Sequence, residues 1–232
     1  MHTLLLRLAG PMQAWGTQSR YLVRDTGFEP SKSGVVGLVC AALGRSRNDA
    51  VDDLAALRMG VRVDREGVLK REYHTAGGSH RRGEAYGVVN AKGELGGTVV
   101  SQRYYLADAD FLVGLSGDDL ALLRLVDGRL RAPVWQVFLG RKSFVPGTPV
   151  AMAGSGIREG VTLVEALAAE PWPEGATRLR MVLEADAADG DAVRHDQPWG
   201  EAFAHRRFLP RYVKTAFLEQ ATGAATGGVR DV

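Results

Sequence analysis

One cysteine, Cys40, among 232 residues leaves the chain without an internal disulfide or a CxxC zinc site. Cys40 lies in an apolar helical segment and reads as a small core residue in a reducing compartment. No apolar run approaches the roughly 20 residues that a helix needs to cross a bilayer. The opening MHTLLLRLAG is too short and too poorly flanked for a signal peptide, so a cytoplasmic protein with no membrane partner is expected. Catalytic signatures are missing too, with no GxSxG, no Walker loop and no HExxH. The histidines (His2, His74, His80, His195, His205) lack metal-ligand spacing. These absences argue against a metalloenzyme or a triad hydrolase, and no cofactor is expected.

An excess of one charge is lacking as well: 29 Lys and Arg stand against 27 Asp and Glu. The distribution is uneven. Residues 68–106 hold six cations and three carboxylates, and residues 194–214 hold five and two. Acidic residues gather instead at Glu184, Asp186, Asp189 and Asp191. Local basic clusters in a nearly neutral chain suit an anionic partner on one face, although a solvated surface gives the same count.

What is present is the ordinary globular mixture, 45% hydrophobic and 24% charged, enough for a core. TLLLRLA, at 3–9, reads as a buried strand. Ser31 as N-cap and Gly44 just past the end bound a helix over SGVVGLVCAALG. Asn48 is expected to cap a second helix carrying Val51, Leu54, Ala55 and Leu57. MGVRVDR then alternates as a half-buried strand should. Residues 74–97 hold seven glycines in 24 positions and read as a mobile hairpin tip, with VLKREYH and VVSQRYYLAD as its arms. ADFLVGLSG follows as a strand, then a helix capped by Asp118 or Asp119 and ended by Gly128, then PVWQVFLG as a strand.

The expected fold class is therefore α+β. A ferredoxin-like β-α-β-β-α-β domain spans 1–150, with a hairpin inserted at about 70–105 between its middle strands. A smaller β-rich domain at 151–218 has a helix in VTLVEALAAE and strands in RLRMVLEAD and HRRFLPRYVKTAFL. The tail, 219–232, is expected to be disordered.

Residues 10–34, GPMQAWGTQSRYLVRDTGFEPSKSG, carry more specialised groups than a turn requires. Lys32 and Ser33 fall in the first helical turn, where free backbone N–H groups and the helix dipole favour an anion. A phosphate there gains Lys32 and the hydroxyls of Ser31 and Ser33. Arg20 and Arg24, with Tyr21 between them, are placed to grip a second phosphate or stack on a base. Trp15 reads as a core residue bridging the fold, and Met12 as core. GRKS, at 140–143, closes a strand with two adjacent cations, and HRRFLPR flanks Phe208 and Leu209, both expected to be buried. Metal-free RNA chemistry stays open, because His74, Tyr73, Tyr86 and Lys70 are residue types that activate a ribose 2′-OH and stabilise a phosphorane.

Taken in order, LLLRLAGPMQAWG, PSKSGVVGLVCAALG, REYHT, RYYLADADFLVGL, FLGRKSF and RRFLPRYV resemble the CasD family, from residue 4 to about 213. AGPMQAWG and PSKSG are the specific blocks. The resemblance implies an RRM-like fold of the RAMP superfamily and a non-catalytic subunit of a type I-E CRISPR Cascade complex. Such a subunit caps the 5′ handle of the crRNA and projects a hairpin thumb over a neighbouring backbone subunit. It also touches the large subunit that reads the PAM, and meets target DNA only indirectly. On that basis Arg20, Arg24, Lys32, Arg141 and Lys142 position the handle through phosphates, and Thr26, Ser31, Ser33 and Ser143 add hydrogen bonds. His74, Arg81 and Arg82 of the thumb, with Arg103 and Tyr104, clamp nucleotides beside it. The aromatic RNP1 signature is absent, so base stacking on an open sheet is not expected. Two alternatives remain: a metal-independent endoribonuclease that processes CRISPR repeat RNA through His74, and a scaffold protein without RNA contact.

Overall fold

The computed structural model describes residues 1–16, 22–77, 87–89, 93–94 and 96–220, and the backbone of 228–231. In chain order the elements are β1 (His2–Ala9), β2 (Met12–Gln13), β3 (Val23–Arg24), α1 (Lys32–Leu43), α2 (Asp52–Ala55), β4 (Arg58–Arg65), β5 (Val68–Ala76), β6 (Val99–Ala107) and β7 (Asp110–Gly117). There follow α3 (Leu120–Arg131), β8 (Ile157–Glu159), α4 (Leu163–Ala169), β9 (Arg178–Glu184), β10 (Ala192–Gln197), α5 (Ala202–His205), β11 (Leu209–Glu219) and β12 (Gly228–Asp231).

An antiparallel sheet runs β10-β11-β9-β4-β7-β1-β8, with β12 on β11. Alternation along β1 separates the layers. Leu4, Leu6 and Leu8 join a core with α1 and α3, while Leu5 joins a second core with α4, β9 and β11. Burying such side chains contributes about 1.5–3 kcal/mol each. Five of its strands come from beyond residue 150, and two of these pair with strands from before it: β8 lies on β1 and β9 on β4, so its hydrogen bonds cross the expected domain boundary without a break. A smaller sheet is built on β6, which pairs with β5 along nine residues and with β2 and β3. The expected hairpin arms therefore pair with each other. No helix among the described residues is long and apolar enough to cross a membrane.

α1 starts and stops where its caps dictate. Ser31 is extended and its Oγ accepts the Gly34 N–H, and Gly44 adopts φ 76°, where a side chain is disfavoured. The expected strand at 133–140 does not form. Instead the Val134 and Trp135 N–H groups donate to Ala42 O and Ala41 O, which satisfies carbonyls left open at the end of α1. The edge of β1 is taken by β8 and by a bridge from Leu6 to Ala151.

β4 is buried on both faces rather than half-buried, and Arg62 shows how. All five guanidinium donors are used: two on Asp64, three on the Leu167, Glu170 and Pro171 carbonyls at the end of α4. Other boundaries also move. The second helix begins after Val51, and Asn48 lies in the preceding turn with its N–H on Ser46 Oγ. α3 runs through Gly128, where an added Cβ would meet nothing within 4 Å, and ends at Arg131, which pairs with Asp127 one turn back. Leu209 is exposed, because β11 begins there at the open end of the sheet. The tail, expected to be disordered, contributes β12, whose backbone pairs with residues 216–219 of β11.

Candidate nucleic-acid interface

The 10–34 connection is anchored at its base. Trp15 is 1% exposed. Its indole N–H donates to Gln13 Oε1, and Gln13 is in turn tied to Leu8 O and Ala109 O. The Trp15 backbone N–H donates to Thr26 Oγ1 at 2.9 Å, and the Gly27 N–H to Trp15 O at 3.0 Å. Thr26 thus closes the loop, and its hydroxyl is not turned out toward a ligand. Met12 is half-buried against the core.

The start of α1 departs from the expected phosphate site. Lys32 is fully buried, with Nζ held by Glu184 at 2.9 Å. Its backbone N–H donates to Asp196 Oδ2 at 2.7 Å, and Asp196 is gripped by both arms of Arg211. The anion favoured by the helix N-terminus is therefore the protein's own carboxylate. Burial pulls the Lys32 pKa down from 10.5, partly opposed by Glu184. Ser31 Oγ is committed to its cap, and Ser31 and Ser33, but not Lys32, line the cleft beside the start of α1.

The cations that stand together come from three other places. Arg24 on β3 and Arg103 on β6 are register partners in a parallel ladder, and Glu72 on β5 faces Arg103 from the other side. Arg103 Nε donates to Ser101 Oγ at 3.0 Å. Arg141 donates from Nη2 to Tyr104 O at 2.8 Å and lies 5.3 Å from the centre of the Phe144 ring. Its Nη1 is buried without a hydrogen-bond partner among the described residues. Burial first, then Arg103 and Arg24, lower the Arg141 pKa, while Glu72 and Asp25 oppose. Burial and Arg24 likewise lower that of Arg103. Three guanidiniums under mutual repulsion make a site suited to an anion.

The turn that carries Arg141 is pinned by contact. Ala14 N–H donates to Leu139 O, and Gly140, at φ 88°, lies so close that a Cβ would sit 1.8 Å from Ala14 O. Lys142 and Ser143 follow as exposed side chains. Between this turn, the connection and one face of α1 lies a cleft of about 750 Å³. Its lining includes Arg24, Arg141 and Lys142, already expected, and Arg47, Trp135, Phe138, Phe203 and Phe208, which sequence reading missed. Arg47 had a signal, as a cation three residues past the Gly44 cap. The aromatics come from three segments that only the fold assembles. His74 sits on β5 with Nδ1 3.4 Å from Glu72 Oε1. Arg20, Arg81, Arg82 and Tyr86 lie outside the described residues. No cluster of potential metal ligands is found among the described residues.

Residues 3–214 match the family model described as CRISPR-associated protein (Cas_Cas5). The CRISPR system Cascade subunit CasD of Escherichia coli (strain K12) is 35% identical over 155 residues, which is 60% of this chain and 65% of that protein. The match thus spans just under two thirds of that relative. A crystal structure of a Cas protein, 44% identical, superposes with a TM-score of 0.73 over 94% of this chain and 95% of the other. A chain of a CRISPR RNA-guided surveillance complex, 34% identical, gives a TM-score of 0.74 over 98% of this chain and 91% of its own length. The chain belongs to the CRISPR-associated protein (Cas_Cas5) family.

Proposed function

We propose that the chain is a non-catalytic RNA-binding subunit of a type I-E Cascade complex, holding the 5′ handle of the crRNA. It would adjoin a backbone subunit and the large PAM-reading subunit in the cytoplasm. The carrying observation is the grouping of three guanidiniums: Arg24 and Arg103 are register partners in a parallel ladder, and both lower the pKa of the half-buried Arg141. A phosphate there offsets the repulsion among the three guanidiniums. Lys142 and Arg47 at the cleft, with the exposed Ser143 next to Lys142 in the turn, extend the contact. Arg20, Arg81 and Arg82 belong to the same proposal through their positions in the connection and the hairpin. In this reading β1-α1-β4 and β7-α3-β8 are the halves of a ferredoxin-like unit with strand order 4-7-1-8. The β5–β6 hairpin is the thumb inserted between them.

The test uses purified chain in EDTA with end-labelled CRISPR-repeat RNA, on native and denaturing gels. A salt-sensitive shift with intact RNA is expected. Arg24→Ala with Arg103→Ala should weaken it and reduce the slope of log K against log salt by about 1.4, at roughly 0.7 per phosphate contact on single strands. An unchanged affinity and slope in that double variant would sink the assignment. Defined cleavage that disappears in His74→Ala would replace it with the endoribonuclease.

A further inference from the structure

The two elements that carry Arg24 and Arg103 are joined a second time, away from the ladder between them. Arg180, on β9, donates from Nε and Nη2 to Glu66 at 2.8 and 2.7 Å, and from Nη1 to Glu29 at 3.2 Å. Glu66 sits in the turn between β4 and β5, at the root of the hairpin that includes β6 and Arg103. Glu29 lies in the connection, five residues after Arg24, and also holds Arg194 of β10 at 3.0 Å. Arg180 itself is set on an interior strand, paired with Val63 on β4 and Phe217 on β11. A planar fork on a rigid strand can hold two carboxylates at a fixed separation, which a lysine cannot. By contrast β3 is only two residues long and exposed on both, a weak ladder on which to fix a guanidinium.

We propose that Arg180 is a positioning residue for the nucleic-acid site: by holding Glu29 and Glu66 on one guanidinium, it sets the connection against the hairpin root and so sets Arg24 against Arg103. The inference rests on the RNA-binding reading above. It also assigns Arg180 and Arg194 a role inside the protein rather than on the RNA, despite their charge. The β9–β10 part of the sheet then serves the site without touching the ligand.

The test compares full-length variants for binding to a 5′-labelled single-stranded CRISPR-repeat RNA over a salt series. Arg180→Gln should bind about five- to tenfold more weakly with an unchanged salt slope, and Arg180→Lys should fall between it and the wild type. Glu29→Gln with Glu66→Gln cuts the same contacts while removing two negative charges. Simple electrostatics makes that variant bind more tightly; positioning makes it bind more weakly. A slope reduced by about 0.7 in Arg180→Gln would make Arg180 a phosphate contact and overturn the proposal. Wild-type affinity in Arg180→Gln, or tighter binding by the double glutamine variant, overturns it too. Hydrogen exchange of the free protein reads the positioning without RNA: the Gly27 amide should exchange faster in both variants, with β1 and β7 amides unchanged. Unchanged exchange at Gly27 overturns the proposal, and faster exchange throughout β1 and β7 marks general unfolding and overturns it as well. Loss of RNA binding that depends on Arg180 but not on Arg24 and Arg103 would instead sink the reading of the site.

Discussion

Asp196 Oδ2 accepts the Lys32 backbone N–H at 2.7 Å, so α1 begins on a carboxylate supplied by β10. The same carboxylate takes two hydrogen bonds from Arg211, at 2.9 and 2.8 Å, and both side chains are at least 95% buried. Asp196→Ala leaves a buried guanidinium without its partner. The expected cost is about 3–5 kcal/mol, a fall in Tm of roughly 6–20 °C for a chain of this size. Urea and thermal unfolding of the variant check it. A Tm within about 2 °C of wild type would mean that the pair contributes little.

Lys32 gives a prediction in pH. Burial lowers its folded pKa below 10.5, so between the lowered value and 10.5 the unfolded chain binds more protons than the folded one. Stability contributed at this site therefore rises with pH through that window. Lys32→Met keeps the length of the side chain and removes the titration, so the rise should be lost. Urea midpoints over a pH series rising to 10.5 measure it. In RNA binding the variant should keep the wild-type salt slope, since a lysine turned into the fold neutralises no phosphate.

How far the residues announce this arrangement depends on distance along the chain. β1, α1 with its Ser31 and Gly44 caps, and the paired arms of the hairpin follow from local chemistry, because each signal lies within the element it describes. β4 is harder: its Arg62 reads as a solvent-facing residue, and only the arrival of Glu170 and Pro171 from 108 and 109 positions away buries it. The same reason explains Lys32. A cation at a helix start looks ready for phosphate until Glu184, 152 residues on, is brought against it. Arg24 and Arg141 are legible as exposed-type cations in a loop and a turn, but their grouping with Arg103 depends on a parallel ladder of two residues.

Cys40 lies along the cleft but is buried, which pushes its thiol up to about 11. At pH 8 the thiolate fraction is then about one in a thousand. Alkylation by iodoacetamide should be at least about a hundredfold slower in the folded protein than in urea-unfolded chain. Mass spectrometry over time reads the rate, and equal rates would mean that the α1 wall of the cleft opens freely.

Gly140 links the two halves of the site. Its φ of 88° lies in the left-handed region, and a Cβ there would stand 1.8 Å from Ala14 O. Backbone strain alone costs about 1–3 kcal/mol for a residue other than glycine, and the contact cannot be relieved by rotating a side chain. The Ala14 N–H to Leu139 O bond, 3.1 Å long, is the next to give way. Gly140→Ala should therefore move the turn carrying Arg141 off the connection carrying Arg24. The expected result is a loss of stability larger than about 1–3 kcal/mol and weaker RNA binding. A control at Gly154, whose φ is 72° but whose Cβ would meet nothing within 4 Å, isolates the effect of the clash. Gly154→Ala should lose only the strain term and keep full RNA affinity. Equal losses of affinity in the two variants would show that the 139–144 turn does not set the position of Arg141.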